Sequence, residues 1–82
     1  MREMEFKMER EGLVTVGQQL TVTEGKLPMS YYYTVEHAIA MSANYQNRER
    51  LKTDEEGRAV GTVTDIKETD RGFFITMSFD QQ

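Results

Sequence analysis

Apolar and polar residues alternate along most of this chain, most clearly near its C-terminal end. Phe73, Ile75, Met77 and Phe79 occupy every second position, with Phe74, Thr76, Ser78 and Asp80 between them. A period of two places the first four side chains on one face of a strand. Upstream, Gly61-Thr62-Val63-Thr64-Asp65-Ile66 is rich in β-branched residues that suit a pleated, half-buried surface. Between the two runs, Lys67-Glu68-Thr69-Asp70-Arg71-Gly72 carries turn chemistry. Asp70 can hydrogen-bond its own backbone, and Gly72 can take a positive φ without a Cβ clash. Residues 58–80 therefore predict an antiparallel hairpin whose apolar face the rest of the chain is built to cover.

The same period governs the N-terminal end. Met4, Phe6 and Met8 alternate with Glu3, Glu5, Lys7 and Glu9, which predicts a strand over 3–10 with a charged outer face of the kind found on sheet edges. Glu11-Gly12 interrupts it. Val14, Val16, Leu20 and Val22 then fall on even positions and predict two short strands, about 13–16 and 19–24, or one strand bent at Gly17-Gln18-Gln19. Residues 24–28 read as a loop, where the sole proline, Pro28, biases Leu27 away from helix. Residues 53–58 read as a polar loop, and Gln81 and Gln82 as a frayed tail.

Residues 30–52 admit two readings. Tyr33, Val35, His37, Ile39 and Met41 alternate and predict a strand over 31–41, followed by one short helix near 43–52 with Tyr45 and Leu51 inward. Yet Val35, Ala38, Ile39 and Ser42 also lie at helical spacing, with Thr34 placed to cap a helix over 35–52. The first reading gives a mainly β fold, a small antiparallel barrel or strongly bent sheet of five to six strands. The second gives an α+β fold, with that helix on a four-stranded antiparallel sheet. In the first, the expected core is Phe6, Met8, Val14, Val16, Leu20 and Val22, joined by Val35, Ile39, Leu51, Val63, Ile66, Phe73, Ile75, Met77 and Phe79. The run Gly61-x-Val63-x-x-Ile66, with its turn and alternating strand, is similar to the closing hairpins of SH3-like small barrels. That resemblance spans about a quarter of the chain, implies the barrel, and carries no site residues.

Eighty-two residues suggest one domain, 1–82. So short a chain buries only about 60% of the surface its unfolded state exposes. It has no cysteine to staple it, so its core, alone or shared with a partner subunit, must hold it together. No apolar run approaches the ~20 residues of a membrane helix. The alternating N-terminus does not read as a signal peptide. Composition thus predicts a cytoplasmic protein with no membrane partner. Ten basic against fourteen acidic residues leave a net charge of −4, which disfavours a dedicated nucleic-acid binder.

Candidate chemistry is sparse. His37 is the only histidine, and beside Val35 and Ile39 it reads as a packed side chain. No phosphate loop, paired-cysteine or nucleophile motif accompanies it, so the sequence predicts neither an enzyme nor a cofactor or metal site. Asp65, Glu68, Asp70 and Asp80 read as solvated turn residues. Tyr31-Tyr32-Tyr33 is the most unusual local feature, because tyrosine offers a large contact area with a polar tip. Tyr31, Tyr32, Tyr45 and Phe74 are the candidate partner contacts of a non-catalytic binding or regulatory module that acts on another protein or on its own twin. The alternative is a small barrel binding RNA or another single strand through Arg48, Arg50, Lys52 and Arg58, although Asp54, Glu55 and Glu56 offset that charge.

Overall fold

The computed structural model describes residues 1–9 and 12–81. Among these described residues six strands follow one another: β1 (Arg2–Met8), β2 (Gln19–Lys26), β3 (Tyr31–Val35), β4 (Ala40–Tyr45), β5 (Arg58–Thr69) and β6 (Gly72–Phe79). A single 3₁₀ turn, Asn47–Glu49, stands between β4 and β5. All neighbouring strands are antiparallel, and they close into a barrel in the order β1-β4-β3-β2-β5-β6. β2, β3 and β4 form a meander, and β5 returns to lie beside β2, as in a Greek key. Directly opposed residues lead around the wall from Arg58 through Thr23, Thr34, Met41, Lys7 and Phe74 to Lys67. One circuit thus climbs from position 58 to position 67 of the same strand, a stagger that tilts the strands strongly.

The predicted alternation places the core inside this wall. Met4, Phe6 and Met8 of β1 meet Ile75, Met77 and Phe79 of β6, with Leu20, Val22, Val35 and Val63 completing the ring. Tyr33 is also wholly buried. Gly61 is buried where the ring of Phe79 crosses its strand, and a Cβ there would stand 2.6 Å from that ring. The two long connections close the barrel's two ends. The link from β1 to β2 supplies Val14, and the link from β4 to β5 supplies Leu51, both buried.

Several expectations are corrected. Residues 31–41 are not one strand but two, because residues 36–39 turn, and neither helix forms. β4 continues to Tyr45 as strand, so the helix expected near 43–52 is reduced to the three-residue 3₁₀ turn, and the longer helix over 35–52 is overturned. Alanines at helical spacing lose here to the pairing β4 gains with β3 and β1. Residues 13–16 are not a strand, and Val16 is 61% exposed rather than in the core. Gly17 turns with φ 94°, which moves the chain out of the alternation that Val14 suggested. Ile66 is 38% exposed, because the end of β5 projects past the barrel. Ile39 and Phe73 are only partly buried.

His37 lies exposed in the 36–39 turn and is not a packed side chain. β1 is not an edge strand: it pairs with β6 from Arg2 to Met8 and with β4 at Lys7 and Met8. The loop expected at 24–28 starts later, since β2 runs to Lys26, and the last hairpin keeps its strands to Thr69 and from Gly72. Gln81 is anchored rather than frayed, its side chain accepting from the Lys52 N–H and donating to the Lys52 carbonyl. The expected strand residue Arg10, the interruption at Glu11 and the tail residue Gln82 lie outside the described residues.

Candidate functional site

Alternation along β2 turns Leu20, Val22 and Glu24 inward, so a carboxylate arrives at one end of the barrel. Its neighbours answer it. Arg50 donates to Glu24 Oε1 from Nη2 at 2.7 Å and to Oε2 from Nε at 3.1 Å, a two-point fork. The buried Tyr33 hydroxyl donates to the same Oε2 at 2.7 Å and accepts the Leu51 N–H at 2.9 Å. The Arg50 guanidinium lies 4.3 Å from the centre of the Tyr31 ring, a cation–π contact. Tyr45 packs edge-on against Tyr33 at 5.3 Å, and its hydroxyl pairs with Ser42 Oγ at 2.6 Å.

Tyr45 reaches this rim because β4 carries an extra residue. Tyr31 opposes Tyr45 while Tyr33 opposes Ser42, and Asn44 takes φ 72° within the bulge. The link that brings Arg50 is held from β1, where Arg2 donates to the carbonyls of Arg50 and Glu49.

Electrostatics follow from these contacts. The Arg50 guanidinium, helped by the Tyr33 hydroxyl and opposed by burial, holds the Glu24 carboxyl below its ordinary value. Burial, then the adjacent Glu24, pushes the Tyr33 hydroxyl up to about 12. Arg50 is held in its charged form by Glu24. The rim is a satisfied network that locks the link onto the barrel, and among the described residues no buried side-chain polar atom lacks a partner. Glu24 and Tyr33 were missed as site residues in the sequence. The available signal was Glu24 itself, a carboxylate two residues after Val22 on an inward face.

The sequence-predicted residues divide three ways. Tyr31, Tyr45 and Arg50 come together at the rim. Tyr32 lies on the outer wall with its ring over Gly25, where a Cβ would stand 2.2 Å away. Phe74 lies on the outer face of β6, half-buried and opposed by Lys7 and Lys67. Of the basic set, Arg50 is engaged with Glu24, and Arg58 with Glu56 and Asp54. Arg48 and Lys52 are exposed on the link. Two of the four cations are thus paired within the chain and two stand exposed on the link.

Charge is unevenly sorted over the outer wall. Across β2, β3 and β4, with Val60 of β5, the outward positions Thr21, Thr23, Tyr32, Thr34, Val60 and Met41 are uncharged, and the row they form is bounded by Arg58 of β5 on one side and Lys7 of β1 on the other. Val60 is 59% and Met41 49% exposed. Beyond them β1 presents Glu3, Glu5 and Lys7. Among the described residues no cavity opens into the barrel, and no group of three or more His, Cys, Asp or Glu gathers to hold a metal. Nor does any described helix have the length and apolarity to cross a membrane. No protein-family model matches the chain, and neither a curated protein nor a solved structure does.

Proposed function

We propose that the chain is a non-catalytic binding module that meets a protein partner through the uncharged wall of β5, β2, β3 and β4. The observation that carries this reading is the sorting of charge. In a chain with 10 basic and 14 acidic residues, the adjacent outward positions Thr21, Thr23, Tyr32, Thr34, Val60 and Met41 carry none, and charge begins only at their borders, with Arg58 and Lys7. Depletion of charge at the centre of a patch, with aromatic and methionine side chains present, is the compositional mark of a protein interface. The wall has no concavity in which a small molecule could be enclosed, whereas a protein surface needs none. The Tyr32 ring packs against Gly25, so less side-chain freedom is lost when a partner covers it. A cysteine-free chain is compatible with a reducing compartment, where such a partner would be met.

The test is site-specific photocrosslinking in the native host. A photoreactive residue at Val60 or Met41 is expected to give one discrete protein adduct, and the same residue at Glu5, on the charged side, none. Adducts of equal yield from Glu5, or none from Val60 and Met41, overturn the reading.

A further inference from the structure

We infer that two copies of this chain pair edge to edge through the projecting half of β5, with Ile66 on the two-fold axis. This surface lies outside the uncharged wall, and the inference stands or falls without it. β2 covers β5 only from Arg58 to Thr62, and the backbone of Gly17 and Gln18 covers Val63. Beyond Val63, β5 is paired on its β6 side alone among the described residues, and every residue from Thr64 to Arg71 is exposed. A strand with one unpaired edge is a template for another strand.

The phase of that edge follows from its two ends. Val63 exchanges its backbone bonds with Gly17 and Gln18, away from β6. At the other end Thr69 opposes Gly72 across the two-residue turn, so Thr69 bonds toward β6. The bulge at Thr64 shifts the alternation by one. Ile66 and Glu68 therefore turn their N–H and C=O groups toward the open edge.

An antiparallel two-fold pair must place one residue opposite itself. An axis at Asp65, Lys67 or Glu68 sets like charge on like charge. An axis at Thr69 opposes Glu68 with Asp70 and Lys67 with Arg71. An axis at Ile66 is different. It sets an apolar side chain against its twin, lets each Ile66 exchange both backbone bonds, and opposes Asp65 of one copy with Lys67 of the other, twice. Directly opposed side chains lie within reach of each other, and opposite charges there are favourable. An axis at Thr64 would set Asp65 against Val63, whose edge Gly17 and Gln18 already cover. Charges on an edge usually prevent pairing; here, together with that cover, they leave one register. Lys67 already lies 3.5 Å from Glu5 of its own chain, a pair with both side chains more than half exposed. Such a pair is worth little and does not hold Lys67 from a second carboxylate. The contact is isologous, so it closes at two copies.

Sedimentation velocity and amide shifts over a concentration series test this directly. The wild-type chain is expected to show a reversible monomer–dimer equilibrium, with concentration-dependent shifts centred on Ile66 and Glu68. Asp65→Lys alone gives two lysines on each edge and Lys67→Asp alone gives two aspartates, so each variant stays monomeric. An equimolar mixture of the two restores pairing, as does the double variant Asp65→Lys/Lys67→Asp in one chain. Because these side chains are exposed, unchanged amide spectra elsewhere confirm that the variants fold. A monomeric wild type at every concentration, shifts centred on another surface, or a mixture that fails to pair overturns the inference.

Discussion

Replacing Tyr33 with phenylalanine removes one oxygen atom and no ring, so its cost isolates the rim network from core packing. The hydroxyl is wholly buried and serves two partners, donating to Glu24 and accepting from the Leu51 N–H. Arg50 keeps its two bonds to Glu24, so the carboxylate is still answered. The Leu51 amide is not, because its residue is buried and Tyr33 is the acceptor the structure provides. A buried donor left without a partner costs about 1–3 kcal/mol, and losing a hydrogen bond to a charged group is of similar size. Since one oxygen serves both roles, the expected loss is about 2–3 kcal/mol. In a domain of this length, that lowers Tm by roughly 10–20 °C. Urea unfolding followed by tyrosine fluorescence measures it, with the Leu51 amide shift as a local reporter. Tyr45→Phe is the control. It breaks only the pairing with the half-buried Ser42, for which about 0.5–1.5 kcal/mol is expected. If Tyr33→Phe costs no more than Tyr45→Phe and the Leu51 amide does not move, the link is not held by this hydroxyl.

Glu24 is depressed in the folded state, so its contribution is fully present above its unfolded value of 4.5 and is lost as pH falls below it, where the unfolded chain binds more protons. Glu24→Gln is therefore expected to flatten the acid limb of a stability–pH curve; an unchanged limb would show that other carboxylates set it. The raised Tyr33 works in the opposite direction. Its contribution is intact below pH 10 and lost between there and about 12, and Tyr33→Phe should remove that alkaline loss from thermal melts in the same window. Gly61→Ala should cost about 1–3 kcal/mol in urea unfolding, since its Cβ would meet the packed ring of Phe79, and a neutral result would mean that ring has room to move. Val16→Ser should stay within about 0.5 kcal/mol while Leu51→Ala loses about 2–5, and reversal of that order in chemical denaturation would contradict the assignment of Val16 to solvent and Leu51 to the barrel end.

The strands that sequence makes legible are those whose two faces meet different surroundings. β1 and β6 show this well, because each inward residue of Met4, Phe6 and Met8 directly opposes one of Met77, Ile75 and Phe73, while the outer face of β1 is charged and exposed. The six-strand barrel follows from repeating that pattern. Where the period breaks, sequence misleads. Val16 continues an even-numbered run with Val14, but Gly17 turns the chain before it can pair. Residues 31–45 hide a hairpin: the four-residue turn sets Val35 opposite Ala40, so the inward set passes from odd positions in β3 to even positions in β4, and Met41, which the alternation groups with Val35, faces out. The bulge at Asn44 is likewise invisible in a list of apolar positions, yet it sets Tyr45 opposite Tyr31. The site residues were half legible for the same reason. The tyrosine triplet and the basic stretch stand out as local composition, but that Arg50 would answer Glu24, 26 positions away, depends on a closed wall.

The two ends of the barrel solve closure differently, and the difference explains where uncovered surface remains. At the Tyr33 end β1 and β4 separate, and the link from β4 to β5 fills the opening. Its Leu51 is buried, but its position is set by polar groups from three directions: Arg2 on its carbonyls, Gln81 on Lys52, and Glu24 on Arg50. Those groups are consumed in doing so, which is why Tyr33, Tyr45 and Arg50 are engaged within the chain while Tyr32 stands on the outer wall. At the other end β5 and β6 extend beyond β2, and no described element covers the outer edge of β5. The barrel closes every edge over its own length, and only the part of β5 that projects past it is left uncovered among the described residues. The chain uses apolar residues for the interior and leaves charge to govern the uncovered edge, where Asp65 and Lys67 flank Ile66 in an order that is its own complement when reversed. Edge selectivity and wall composition thus derive from one constraint: inward positions are apolar wherever the barrel is closed, so only outward positions and the projecting strand can distinguish a partner.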